Sequence, residues 1–282
     1  MTDAPVYEEI LYEVDDPVAT ITLNRPDMLN AWTVRMGAEV RHAVARAERD
    51  PSVVGIVITG AGRAFCSGAD LGVLSSLAEG GSAGGADDGD ALDVQRESPL
   101  PEDFAGEYTY LLATPKPVIA AINGAIAGMA VPIALCCDLR FMADDAPFVT
   151  AFSQRGLIAE WGLSWLMPRL VGPAVALDLM FSSRRITGEE AARLGLVNAA
   201  LPADEVVAHA RRYVEDLARH ASPTSLAIMK RQVYEQLHAG LGPAERESQR
   251  LMVESFGRAD FAEGVASFLQ KRAPKFPRLP RT

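Results

Sequence analysis

The stretch that decides the fold is Lys116-Pro-Val-Ile-Ala-Ala-Ile-Asn-Gly-Ala-Ile-Ala-Gly-Met-Ala-Val-Pro-Ile-Ala-Leu-Cys-Cys-Asp138. Residues 118–122 read as a buried strand, Asn123-Gly124 as a turn, and the small residues from about Gly128 as a helix start. A helix N-terminus behind a glycine turn presents unpaired backbone N–H groups at the positive end of the helix dipole. Such a place can hold an anion or a developing oxyanion. Ala64-Phe-Cys-Ser-Gly-Ala-Asp-Leu71 is a second strand-to-helix turn with small residues at its bend. Two such turns aimed at one point make an oxyanion hole from main chain alone.

Working outward, strand-like runs fall at residues 10–14, 18–23, 53–59, 118–122 and 139–142, with helical patterns between them at about 33–49 and 129–137. That alternation reads as α/β. From Ser164 onward helices dominate, at roughly 164–171, 173–182, 188–193, 203–220, 223–239, 243–256 and 258–272. Val206, Val207, Ala210, Tyr213, Val214 and Leu217 recur at helical spacing. Their stripe serves either a subunit contact or the core of the same chain. Residues 79–107 contain a run rich in Gly, Ser and Asp, then Pro99 and Pro101, a composition that buries little. The segment is read either as a lid over a pocket or as a tolerated surface insertion.

The chain of 282 residues is ordinary in hydrophobic and charged content, at 49% and 23%. Its net charge of −10 argues against nucleic acid as the main partner, because phosphates call for a basic face. No apolar run is long enough for a membrane span, and the acidic start lacks the apolar segment of a signal peptide. The three cysteines, Cys66, Cys136 and Cys137, lack metal spacing, and the adjacent pair cannot form an ordinary disulfide. A reducing cytoplasm is the expected location.

The two turns resemble those of the crotonase (enoyl-CoA hydratase/isomerase) superfamily. Four further blocks are similar to that family in order: Ile21-Thr-Leu-Asn-Arg-Pro-Asp-Met-Leu-Asn-Ala31, Trp165-Leu-Met-Pro-Arg-Leu-Val-Gly172, Gly188-Glu-Glu-Ala-Ala-Arg-Leu-Gly-Leu-Val197 and Glu263-Gly-Val-Ala-Ser-Phe-Leu-Gln-Lys-Arg272. The likeness covers about residues 8 to 276. It implies a right-handed spiral of β-β-α turns over residues 1–200, holding an acyl-CoA site. A helical region over residues 201–282 would then build a homotrimer or hexamer. It also implies no metal or redox cofactor, with coenzyme A arriving as part of the substrate.

Carried onto this chain, the family's oxyanion donors are the amides of Ala69 and Met129. Where many relatives have three glycines, this chain has Gly128-Met-Ala, and Met129 suits that place only with a negative φ. In hydratases of the family two glutamates hold the attacking water, and their places here are taken by Pro132 and Phe152. A carboxylate follows instead in Gly156-Leu-Ile-Ala-Glu-Trp-Gly162. Glu160 matches the position of a functional aspartate in relatives such as dienoyl-CoA isomerases and 4-chlorobenzoyl-CoA dehalogenases. Among Leu157, Ile158, Trp161 and Leu163 it would be desolvated and its pKa raised towards a value useful for proton transfer. The alternative is an acid favoured by the dipole of the following helix.

The resemblance further implies contact with coenzyme A or the acyl group at Met28, Leu29, Ser67, Gly68, Ala69, Asp70 and Leu71. Gly128, Pro132, Phe152 and Trp161 would border the acyl end, with the region around Phe104 and Leu111 setting its size. Phe268 and Lys271 match positions that reach the nucleotide, often that of a neighbouring subunit. Asp70 reads as a helix cap, Cys66 as small-residue packing, and His42, His209, His220 and His238 as solvated helix residues. The favoured activity is an enoyl-CoA isomerase-type proton shift. Hydration or hydrolysis using Glu160, and acyl-CoA binding without catalysis, are the alternatives.

Overall fold

A computed structural model describes residues 6–80 and 102–280, so most of the expected lid at 79–107 lies outside the described residues. Six strands form the larger sheet: β1 (Ile10–Asp15), β2 (Val18–Leu23), β3 (Gly55–Gly60), β5 (Val118–Ile122), β7 (Leu139–Ala143) and β9 (Ala199–Leu201), in that spatial order. Only β1 and β2 pair antiparallel; every later pair is parallel. Every residue of β3 and β5 is buried, as a sheet covered on both faces requires. Those strands are the long apolar runs of the sequence.

A second sheet is much smaller, with β4 (Ala64–Cys66), β6 (Ala125–Ala127) and β8 (Phe148–Val149) all parallel. Each turn of the chain therefore gives one strand to the larger sheet, one to the smaller, and then a helix. The helices are α2 (Leu71–Ala78) after β4, α4 (Ala130–Leu135) after β6 and α5 (Leu163–Ser182) after β8. This is the expected α/β architecture of β-β-α turns. The helix expected from about Gly128 starts at Ala130, and β6 lies between it and the Asn123-Gly124 turn. Strands of two or three residues show no periodicity, so β4, β6, β8 and β9 were not separable from loop.

Side chains of two asparagines hold the larger sheet to the smaller. Asn30 is fully buried and donates from Nδ2 to the carbonyls of Ala61 and Ala64, at 2.9 and 2.8 Å. Asn123 donates to Gly60 O and Gly62 O, at 2.9 and 3.1 Å. Their bonds clamp the β3–β4 connection, where a side chain at Gly60 would lie 2.3 Å from Ala64 O. The remaining early helices are α1 (Val34–Arg49), capped by the Thr33 hydroxyl accepting from Met36 N, and the short α3 (Tyr110–Ala113).

Beyond α6 (Gly188–Arg193), α7 (Val206–His220) lies on the larger sheet, with Val206, Ala210 and Val214 fully buried. Gly55 makes room for it, since a β-carbon there would lie 2.9 Å from the Val214 methyls. Val206, Ala210 and Val214 of the stripe that left two readings open are therefore core of this chain, while Tyr213 is exposed. Exposed apolar surface lies instead on α8 (Pro223–Gln236), α9 (Leu241–Phe256) and α10 (Ala259–Leu269), at Met229, Val233, Val253, Phe256, Phe268 and Leu269. The reading of all four histidines as solvated is corrected for two. His42 meets the Tyr7 hydroxyl at 2.9 Å, and His209 packs edge-on against Phe141 with centroids 4.5 Å apart.

Candidate active site

The registers Cys66↔Ile126, Ile126↔Phe148 and Ala127↔Val149 make β4, β6 and β8 finish side by side. Their exits are three adjacent turns: Ser67 to Asp70, Gly128-Met129, and Thr150 to Phe152. The first two touch through glycines. A β-carbon on Gly68 would lie 3.0 Å from Ala127 O and 3.6 Å from Gly128 Cα, and one on Gly128 would lie 3.7 Å from Gly68 Cα. Both glycines have positive φ, +101° and +54°, which L side chains rarely adopt. Met129, by contrast, sits at φ −63°, so Gly128 carries the backbone reversal and the methionine costs nothing.

The hydrogen bonding of these turns pairs some of their donors and leaves others without an acceptor. Ser67 N donates to Leu29 O, Trp32 N to Gly68 O and Asp70 N to Trp32 O, at 3.0, 2.8 and 2.9 Å. Gly128 N donates to Val149 O at 3.0 Å. Among the described residues, neither Ala69 N nor Met129 N has an acceptor. Buried or half-buried backbone donors are normally satisfied, so two unsatisfied amides on abutting turns mark a place for a ligand oxygen.

Asp70 is held otherwise. Its Oδ1 accepts from Gly72 N at 2.9 Å and its Oδ2 pairs with Arg25 at 3.0 Å. The Gly72 amide above all keeps its carboxyl below the usual range, as expected of a cap. Leu71 and Met28 are exposed, and Leu29, in the left-handed region, joins the first turn through its carbonyl. Cys66 is wholly buried and burial pushes its thiol up to about 12, which leaves it inert. Asp138 accepts from Val118 N, Lys230 and the Tyr234 hydroxyl, tying α8 to β5 away from the turns.

Pro132 lies buried in the first turn of α4, where no intrahelical N–H is needed, and Phe152 is buried in the third turn. Neither position offers a proton. Glu160 stands just ahead of α5, and its carbonyl accepts from Leu163 N at 2.9 Å. Burial raises its carboxyl above the ordinary value, with the Trp161 indole opposing in part. Among the described residues no cation pairs with it.

The segment carrying Glu160 is connected to the oxyanion turns by aromatic rings. Trp161 packs edge-to-face on Tyr108 at 5.4 Å, and Tyr108 on Trp32 at 5.7 Å. Trp32 in turn bridges Ala69 strand-to-strand. Packing of α5 on α4 gives a second link, since Met129 is the N-cap of α4. Trp32 and Tyr108 were missed in the sequence; their only signal was an aromatic residue beside a recognised block. Phe268 and Lys271 are not brought to the turns within one chain: α10 packs on α9 and both residues are exposed.

Comparison with known proteins agrees with this fold. The enoyl-CoA hydratase/isomerase family model matches residues 13–278. A protein of Rhodobacter capsulatus named "Probable enoyl-CoA hydratase" is 38% identical over 96% of this chain and 98% of its own length. The 1,2-epoxyphenylacetyl-CoA isomerase of Escherichia coli is 36% identical over 95% and 98%. Among solved structures, an enoyl-CoA hydratase from Polaromonas superposes with a TM-score of 0.80 at 30% identity, covering 95% of this chain and 99% of that one. Hydratase names outnumber isomerase names among such relatives. The matched span and these likenesses establish that the chain belongs to the enoyl-CoA hydratase/isomerase family.

Proposed function

We propose that the protein acts on acyl-CoA thioesters and shifts a carbon–carbon double bond by moving one proton. The thioester oxygen of a 3-enoyl group would accept from Ala69 N and Met129 N. The Glu160 carboxylate would take the proton from C2, and the electron pair would move onto that oxygen as an enolate. Two preorganised amides supply several kcal/mol to such a charge. The same carboxyl would return its proton at C4, leaving a 2-enoyl thioester and an unchanged enzyme. The observation that carries this reading is the side chains at the three turns: Pro132 and Phe152 are unable to exchange protons, while Glu160 is half-buried with a raised pKa. The Escherichia coli relative is likewise named as an isomerase of an acyl-CoA.

Hydration is the second reading, favoured by the hydratase names of most relatives. It would require Glu160 alone to activate water. Mass spectrometry of 3-enoyl- and 2-enoyl-CoA substrates separates the two. Isomerisation leaves the product mass unchanged, whereas hydration adds the mass of water. Formation of the hydrated thioester as main product would refute the isomerase reading.

We further propose assembly of three copies, or two such trimers, through α8, α9 and α10. Their exposed Met229, Val233, Val253, Phe256 and Phe268 support it. In such an assembly Phe268 and Lys271 of one copy could meet the nucleotide bound to the next. The free buried thiols suit a reducing compartment such as the cytoplasm, and among the described residues no helix is long and apolar enough to cross a membrane.

A further inference from the structure

The wall joining the oxyanion turns to Glu160 is more aromatic than a proton shift requires. Trp32, Tyr108 and Trp161 form one continuous edge-to-face array, with interplanar angles of 87° and 64°. Tyr108 is at its centre and 3% exposed. Burial holds its phenol well above the ordinary range, so the ring stays neutral. Nothing in the array is charged, and among the described residues the Tyr108 hydroxyl makes no hydrogen bond. Trp161 stays 40% exposed although its ring packs against Tyr108. Its backbone sits at φ +54°, and Gly162 follows at +78°. A bulky residue in the left-handed region is strained, and such strain concentrates where a side chain must be aimed. The indole is thus held beside Glu160 with a free aromatic surface.

We propose that the acyl group bears an aromatic ring outside the migrating double bond, seated against the exposed indole of Trp161, which Tyr108 and Trp32 back from the core. The inference rests on the acyl-CoA reading above and adds the class of acyl group to it. Aromatic rings gain from edge-to-face and offset contact beyond what burial of equal area gives, whereas a saturated chain gains only burial. A straight chain of equal carbon count has no use for a strained indole. Trp161 is the specificity-determining residue, because it alone of the three offers an exposed ring and lies next to the proton-transfer group.

Isothermal titration with phenylacetyl-CoA and octanoyl-CoA, which have equal numbers of acyl carbons, tests this. The native protein should bind the aryl thioester about fivefold more tightly, the gain of one aromatic contact. Trp161→Leu should cut that preference to about twofold, and Trp161→Phe, which keeps a ring, should retain most of it. Tyr108→Leu, checked for folding by circular dichroism, should act like Trp161→Leu. Equal affinities, or tighter octanoyl-CoA, would overturn the aryl assignment while leaving acyl-CoA binding intact. A preference surviving both leucine variants would equally overturn it. Failure of either thioester to bind would refute the acyl-CoA reading itself.

Discussion

The Ala69 and Met129 turns and the segment from Thr150 to Gly162 leave the same end of the small sheet, yet they are built by opposite means. The first two are made of backbone. Abutting glycines at positive φ set their path, flanking amides and carbonyls are paired, and the side chains of Ala69 and Met129 have no chemical part. The third segment works through side chains, Phe152, Glu160 and Trp161, and its positive φ values fall on Ala151 and Trp161 as well as on Gly156 and Gly162. Main-chain donors survive any replacement other than proline that keeps φ, so a methionine at position 129 leaves its amide in place. Proton transfer depends on one functional group at one distance. On the proposed reading, the third segment would decide which reaction the oxyanion hole serves.

The largest way to break the comparison is to remove its single acid. Glu160→Gln should keep the fold and acyl-CoA affinity but lower turnover by about 10²–10⁴, the range for a positioned acid–base group. In the native protein the base form exists above the Glu160 pKa, and burial raises that pKa. Activity should therefore fall with acidification at a pH above the ordinary glutamate value, and the glutamine variant should lose that limb. A limb at or below the ordinary value would show that Glu160 is not the titrating base.

Met129→Pro removes one oxyanion N–H and should cost about 10²–10³ in turnover. Met129→Gly should be nearly neutral, which separates loss of the donor from loss of the side chain. Full activity in a folded proline variant would disprove the hole. Gly124→Ala tests the register beneath both turns, because its β-carbon would lie 2.3 Å from Arg63 O. Overpacking of that kind should cost about 1–3 kcal/mol in urea unfolding, and unchanged stability would show that the two sheets can separate freely. The smallest effect is expected for Cys66→Ala, with turnover within about twofold, since a buried un-ionised thiol is no nucleophile. A large kinetic loss there would place chemistry in the first turn's side chains after all.

Legibility in the sequence followed the same division. Residues 18–23, 118–122 and 139–142 are apolar runs long enough to read as strands, and the break at Gly172 between two helical stretches is where α5 bends. The abutting turns were legible because glycine at positive φ leaves a mark in sequence. The stripe on α7 was ambiguous, since an apolar helix face looks alike whether its partner is the same chain or another. Glu160 stood out only through the family resemblance. The Trp32–Tyr108–Trp161 array joins residues far apart in the chain, and no local pattern announces such a contact.

The central claim is that a backbone oxyanion hole works with Glu160 as sole proton carrier. Its most direct test is product mass from a 3-enoyl-CoA thioester in heavy water, run with native protein and with Glu160→Gln. The account predicts a 2-enoyl product carrying deuterium and no added water, with formation nearly abolished in the glutamine variant. A hydrated product formed equally fast by both proteins would contradict it.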